Sequence, residues 1–244
     1  MTSTIPILMY HNIGLAPHNS TWPSLYVSPK AFKQQMSWLR RLGFHGRSVR
    51  DATSELNGVS SAKVAVITFD DGFTDVYENA LPILKEIGFT ATCYFVSACL
   101  GTYDSWDQGV QVERKPTMTR KQVAEWMQAG MEIGSHGCNH FRMTSCAPEV
   151  CDRELNNSKA ELEHKFGAKV ESFSYPFGDY NSQVVARVQA AGYLSAVTTR
   201  PGRVAPRDDP FRLRRIGLNG RRGLMPFIVN VTTNYQNWRE RQPD

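Results

Sequence analysis

The amino-acid sequence predicts an α/β fold built on parallel strands, closed as a barrel or open and doubly wound. Three observations predict it. Seven short apolar runs rich in β-branched residues recur along the chain, and segments of helical period with their own start and stop signals separate them. The 244 residues are 41% hydrophobic and 21% charged, which suffices for a full core, and no break in composition divides the chain. Residues 1–244 are expected to form a single domain, with 233–244 a polar C-terminal tail.

The strand candidates, in order, are "IPILMYH" (5–11), "KVAVITFD" (63–70), "TATCYFVS" (90–97), "MEIGSH" (131–136), "ESFSYPFG" (171–178), "LSAVTT" (194–199) and "RLRRIGL" (212–218). Parallel neighbours need crossovers, and the helical segments supply them. "SPKAFKQQMSWLRRLG" has Ser28 as N-cap, Pro29 at the first helical position, and Phe32, Met36 and Leu39 on one face before Gly43 stops it. "TRKQVAEWMQAG" repeats the device, with Thr119 and Gln122 spaced as a capping box. "PEVCDRELNNSKAELEHKFG" and "NSQVVARVQAAG" end at Gly167 and Gly192.

Several function classes lose support at this level. There is no GxGxxG and no GxxxxGK[ST]. A net charge of +5 and a pI near 9.0 are mild, and the basic residues are dispersed apart from "RRIGLNGRR" at 214–222, so no nucleic-acid partner is expected. No run approaches the ~20 apolar residues of a membrane span, and no basic flank with an apolar block marks a secretory signal, so a cytoplasmic location is expected. Five cysteines, an odd number without CxxC spacing, argue against a disulfide framework or a structural zinc knot.

The chemistry gathers at strand ends. Asp70 and Asp71 in "VITFDDGFTD", His136, "YPFG" and His11 each sit at the C-terminal end of a predicted strand, the rim where barrel enzymes build their sites. A lone DDG reads as an ordinary turn. "HGCNH" changes that reading, because His136 and His140 stand four apart, a spacing that lets two imidazoles reach one cation. With one carboxylate they form a two-histidine-one-carboxylate set with open positions, and the adjacent carboxylate is left to act as a base. Such a donor set suits Zn²⁺ best among divalent metals, with Co²⁺, Ni²⁺ or Fe²⁺ as alternatives.

These residues resemble the polysaccharide deacetylases (NodB-homology domain, carbohydrate esterase family 4). The ordered matches are "ILMYHNIG", "TFDDGFTD", "ATCYFV", "EIGSHGCNH", "FSYPFG", "AGYLSAVTT" and "FRLRRIGL", spanning nearly the whole chain. The resemblance implies a distorted (β/α) barrel of about seven parallel strands. It implies a metal-dependent hydrolase that removes acetyl groups from N-acetylated amino sugars, in a polysaccharide, an oligosaccharide or a lipid- or nucleotide-linked precursor, by a metal-bound water. Carried onto this chain, Asp70 is the catalytic base, Asp71, His136 and His140 hold the metal, and the backbone N–H of Phe177 stabilises the oxyanion. Substrate contacts are expected from Tyr175, Pro176 and Phe177, and from Trp22 and Trp106 on the longer loops, which also carry Tyr26 and Tyr103.

The chain departs from the family pattern in three places. No histidine follows His164, so the usual C-terminal leucine-x-histidine acid is missing; His11 at the end of the first strand takes that role, an arrangement similar to the circularly permuted biofilm-polysaccharide deacetylase branch. Ser174 stands where the family has an arginine beside the base, which leaves Arg212, Arg214 or Arg215 to supply the charge. Gly137 replaces a serine or threonine between the histidines, next to Cys138, which is expected to pack as a small hydrophobe. Two other readings remain at this stage. One is a hydrolase of a different C–N bond, such as a cyclic imide or ureide, on the same scaffold, and the other is a non-catalytic glycan-binding module.

Overall fold

The computed structural model describes residues 4–106, 114–220 and 223–239. In chain order these residues form β1 (Ile7–Tyr10), β2 (Asn12–Ile13), β3 (Tyr26–Val27), α1 (Pro29–Arg41), β4 (His45–Arg47), α2 (Thr53–Leu56), β5 (Val64–Phe69), α3 (Leu81–Ile87) and β6 (Thr92–Phe95). They continue with α4 (Arg120–Gln128), β7 (Glu132–Ser135), α5 (Pro148–Phe166), β8 (Ser172–Ser174), α6 (Ser182–Ala190), β9 (Ser195–Pro201), β10 (Leu213–Gly217), α7 (Leu224–Thr232) and α8 (Tyr235–Arg239).

The main sheet runs β1-β10-β9-β8-β7-β6-β5 and closes through a β1–β5 pairing, so seven parallel strands form a ring. The open, doubly wound alternative is thereby excluded. All seven sequence-predicted runs are these seven strands, most of them trimmed at the ends. β5 buries all six of its residues, as a parallel strand covered on both faces must. β8 stops at Ser174, where the predicted run continued to 178, because Pro176 opens a tight turn and Phe177 adopts φ 58°.

Four helices carry their caps as the sequence signals require. Ser28 accepts from the N–H of Ala31, Thr119 and Gln122 close a reciprocal capping box, Asn181 accepts from Val184, and Gly167 ends α5 in the left-handed conformation. Phe32, Met36 and Leu39 of α1 are fully buried against the barrel. Burying such side chains contributes about 1.5–3 kcal/mol each.

The sequence signals did not announce β4, the β2–β3 pair, α3 or α7. β4 is "HGR", without an apolar run, and it exists through its register with β5 at Val64, Ala65 and Val66. α7, "LMPFIVNVT", is dominated by apolar and β-branched residues that carry no helical pattern of their own. Within the segment expected as a polar tail, α8 docks through Gln236, which is buried and donates to Asn230 Oδ1, and Asn237, which bonds the backbone of Arg203; residues 240–244 lie outside the described residues. No helix among the described residues is long and apolar enough to cross a membrane.

Candidate active site

Strand register brings the predicted residues together. Tyr10 of β1 and Phe69 of β5 are direct partners, and the Asp70 N–H donates to the Tyr10 carbonyl at 3.0 Å. His11 and Asp70 therefore leave the sheet side by side. His136 follows β7, and its N–H donates to the Phe95 carbonyl at the end of β6 at 2.8 Å. One cavity of about 280 Å³ is lined by His11, Asp70, Asp71, His136, His140, Tyr175 and Phe177, together with Trp22 and Trp106 from the loops. Of the residues expected there, only Pro176 is buried outside the lining.

The glycine of "TFDDG" answers to this geometry. Gly72 sits at φ 72°, and a Cβ there would come within 2.5 Å of the Phe95 ring. The chain thus turns sharply enough for two adjacent carboxylates to face one cavity. Asp71 (φ 73°), His140 (φ 59°) and Phe177 (φ 58°) are three of only four non-glycine residues with positive φ among the described residues. Such conformations cost about 1–3 kcal/mol each and persist where the surroundings over-determine them.

Asp70 is 2% exposed and held by Arg215 of β10, with Nη1 and Nη2 each 2.7 Å from one carboxylate oxygen. Arg215 is fully buried, and every guanidinium N–H is used: Nε donates to the Thr198 carbonyl at 2.8 Å, Nη1 also to Thr68 Oγ1 at 3.1 Å, and Nη2 also to Ser174 Oγ at 3.2 Å. Ser174, where the family has an arginine, is thus an acceptor for an arginine arriving from another strand. Burial pushes the Asp70 carboxyl up, but the Arg215 charge and hydrogen bonds, with His136 and His11, hold it below the usual carboxylate range. Among the three arginines considered from the sequence, Arg212 pairs with Asp209, whereas Arg215 meets Asp70.

Asp71, His136 and His140 form the one three-residue donor cluster found among the described residues. Asp71 Oδ1 lies 3.5 Å from His136 Nε2 and 3.4 Å from His140 Nε2. Ligand atoms about 2.0–2.2 Å from one cation at tetrahedral angles stand about 3.4 Å apart, so this spacing fits a shared metal. His136 Nδ1 donates to the Ser174 carbonyl at 2.7 Å, which orients the ring with Nε2 toward Asp71. Burial, reinforced by the charge of His136, pushes His140 down to about 3, so its ring is neutral. Burial raises Asp71, but the His136 hydrogen bond and the charges of His140 and His11 bring it well below the carboxylate range. His11 is lowered by burial, against the pull of Asp71 and Asp70.

The histidine loop has its own support. Glu154 of α5, itself 4% exposed, accepts from the N–H groups of Cys138 (2.9 Å) and Asn139 (2.8 Å) and from Asn139 Nδ2 (2.5 Å). At Gly137, φ 79°, a Cβ would come 3.1 Å from Glu154 Oε2. A helix carboxylate thus sits close against the backbone at Gly137. Cys138 is packed, as expected, and is not among the donor cluster. Groups that orient metal ligands from outside typically contribute about 10–100-fold in metal affinity, and Glu154 does so by fixing the backbone between His136 and His140. Glu154→Ala is expected to weaken metal binding by that order in a chelator competition while the circular dichroism spectrum is retained.

Aromatic side chains frame the donor cluster. The His140 ring lies between Trp106 (centroids 4.5 Å) and Phe177 (4.4 Å), and the Arg142 guanidinium covers the Phe177 ring at 4.2 Å. Phe177 is 41% exposed and Trp22 46%, so both present surface at the mouth. The Tyr175 hydroxyl is committed to the Phe211 carbonyl at 3.0 Å, leaving this residue as wall. Leu25, Arg142 and Thr199 complete the lining, and Glu154 supports it from behind. None of these four carries a motif that sequence reasoning could have used, although Arg142 lies just two positions after His140.

The chain has relatives among known proteins. Residues 57–196 match the family profile described as Polysaccharide deacetylase. YxkH of Bacillus subtilis, whose name places it provisionally among polysaccharide deacetylases, is 32% identical over 214 residues, covering 87% of this chain and 70% of the relative. The poly-beta-1,6-N-acetyl-D-glucosamine N-deacetylase of Staphylococcus epidermidis is 22% identical over 200 residues, covering 78% of this chain and 67% of the relative. Among solved structures, the Streptococcus pyogenes deacetylase PplD in complex with acetate superposes with a TM-score of 0.83 at 27% identity, over 96% of this chain and all of that one.

Proposed function

The chain belongs to the polysaccharide deacetylase family and is a carbohydrate deacetylase, and from that premise we propose that it hydrolyses the acetamide of N-acetylated amino sugars in a glycan, with a divalent metal held by Asp71, His136 and His140. The observation that carries this reading is a buried, arginine-clamped carboxylate directly beside a two-histidine-one-carboxylate donor set at the open end of a barrel. The nitrogen and oxygen donors suit Zn²⁺, with Co²⁺, Ni²⁺ or Fe²⁺ as substitutes. When bound, such a cation supplies Lewis acidity, polarising an amide carbonyl and acidifying water.

Asp70, ionised and oriented by Arg215, takes the proton from the attacking water. The Phe177 backbone N–H is assigned to the developing oxyanion, in line with the family resemblance. His11 delivers a proton to the departing amine nitrogen, without which the C–N bond cannot break to a neutral amine. Trp22, Trp106 and Phe177 hold the sugar ring by apolar contact and exclude water around the acetamide.

The test is amine release from chitooligosaccharides and from a poly-β-1,6-N-acetylglucosamine oligomer, after chelation and after Zn²⁺ or Co²⁺ is restored. Release that depends on metal supports the reading; stoichiometric metal binding without release from any acetylated sugar sinks it. His11 has a separate signature. His11→Gln is expected to lower kcat on an acetamido sugar by about 10²–10⁴-fold, and to slow hydrolysis of an aryl acetate far less, because a phenolate leaves without a proton. Equal losses on both substrates would remove His11 from the acid role.

A further inference from the structure

A cavity of about 340 Å³ opens at the end of the barrel opposite Asp70. Ile5, Phe44 and Val64 in its wall stand within two residues of the starts of β1, β4 and β5, whereas Asp70 follows the end of β5. Two cations, Lys63 and Arg203, line it together with Thr4. The backbone at Arg203 is fixed from both sides. Its N–H donates to Asn237 Oδ1 at 2.8 Å, its carbonyl accepts from Asn237 Nδ2 at 3.0 Å, and the next residue, Val204, exchanges two backbone hydrogen bonds with Ile5.

Arg203 is a buried charge with much of its hydrogen bonding unused. It is 8% exposed, and of the five N–H groups of a guanidinium two are engaged: Nη1 donates to the Val231 carbonyl at 2.7 Å and Nη2 to the Thr4 carbonyl. Nε is buried and has no partner. Arg215, by contrast, uses every N–H and has Asp70 as its counter-charge. Among the described residues no carboxylate pairs with Arg203, and burial alone acts on it, lowering it from the ordinary arginine range. The carbonyls at the C-terminal end of α7 offer about half a unit of negative charge at most. Lys63 brings a second positive charge: its ammonium donates to the Leu42 carbonyl at 2.7 Å and lies 4.6 Å from the Phe44 ring, again without a carboxylate among the described residues. Buried charges are ordinarily paired, so two cations on one wall with no acidic residue beside them leave a counter-charge to come from a ligand.

We infer that this cavity binds the phosphate group of a small phosphorylated molecule, with Arg203 and Lys63 as its two cations. Two positive charges match a dianion, and a guanidinium fork with unused N–H groups suits the paired oxygens of phosphate. The volume lies in the range of sites for small organic ligands, about 300–1,000 Å³, and Ile5, Phe44 and Val64 give the carrier an apolar wall. The occupant touches Thr4 ahead of β1, Arg203 beyond β9 and Thr232 at the end of α7, segments that meet only in the folded chain. Binding therefore stabilises the fold by mass action.

The test is calorimetric titration of the zinc-loaded full chain with inorganic phosphate and with glycerol 3-phosphate at fixed ionic strength, beside melting curves in the same solutions. Saturable binding of one phosphate group per chain is expected, with a melting temperature that rises with ligand concentration. Arg203→Gln is expected to weaken it at least about tenfold. Lys63→Met, which leaves the buried arginine and its backbone contacts in place should Arg203→Gln fold poorly, is expected to weaken it about fivefold or more. Lys121→Met on α4 is expected to leave it unchanged. Tighter binding of glycerol 3-phosphate identifies an ester as the ligand, and tighter binding of inorganic phosphate overturns the carrier while the anion site stands. Absence of saturable binding overturns the site, and so does binding that survives in both folded variants, which would put the phosphate on the metal instead. The readout is binding, so the outcome is independent of any amine release.

Discussion

Arg215→Met is expected to destabilise the fold by about 3–5 kcal/mol and to remove most of the activity, because it strands a buried carboxylate without its counter-charge. Urea unfolding of the two proteins measures the first effect. The double variant Arg215→Met/Asp70→Asn separates pairing from packing: it is expected to recover much of the stability and none of the catalysis. The pH dependence has a definite sign. Asp70 is depressed in the folded chain, so it contributes stability above the unfolded carboxylate pKa, and that contribution is lost as pH falls through the folded value. Without Arg215, only the weaker pull of His136 and His11 opposes burial, and the Asp70 carboxyl rises. The acidic limb of kcat/KM then moves to higher pH in the Arg215→Met protein, and an unmoved limb would show that Asp70 is not the group whose ionisation controls the rate.

Asp70→Asn is expected to lower kcat by about 10²–10⁴-fold while one metal per chain is still bound, since a general base contributes on that scale and Asp70 lies outside the donor cluster. The two readouts belong together. Elemental analysis of the purified variant checks the metal, and amine release checks the rate. A variant that keeps its metal and retains activity within tenfold of the parent would place the base elsewhere. Loss of metal and rate together would mean instead that Asp70 serves the cation. Asparagine retains the shape of the side chain but cannot accept two charge-assisted bonds, so some loss of stability accompanies the change.

Much of this fold was legible because its signals are local. Ser28, the Thr119–Gln122 box and Gly167 announce helix ends within a few residues, and strands such as β1 and β5 carry continuous, mostly apolar runs. β4 was not legible, since three residues without an apolar run become a strand only when β5 lies beside them. The donor residues were legible for a similar reason: His136 and His140 are four apart, and Asp70 and Asp71 adjoin a glycine. Their supports were not. Glu154 lies 14 residues beyond His140 on a helix whose pattern gives no sign that a carboxylate turns inward.

The sequence by itself determined the order of strands and helices, the family, and which side chains stand at the strand ends, because each depends on residues near one another in the chain. It narrowed the partner of the base to three arginines but could not choose. The choice of Arg215 was made by tertiary structure: closure of the ring sets β10 beside β1, a register shift between Leu213 and Arg215 re-aims the strand, and the guanidinium then reaches Asp70 across 145 positions of chain. Nothing local distinguishes Arg215 from Arg212 or Arg214; what distinguishes it is a fully buried site with five acceptors already in place, and such a site exists only once the barrel has closed.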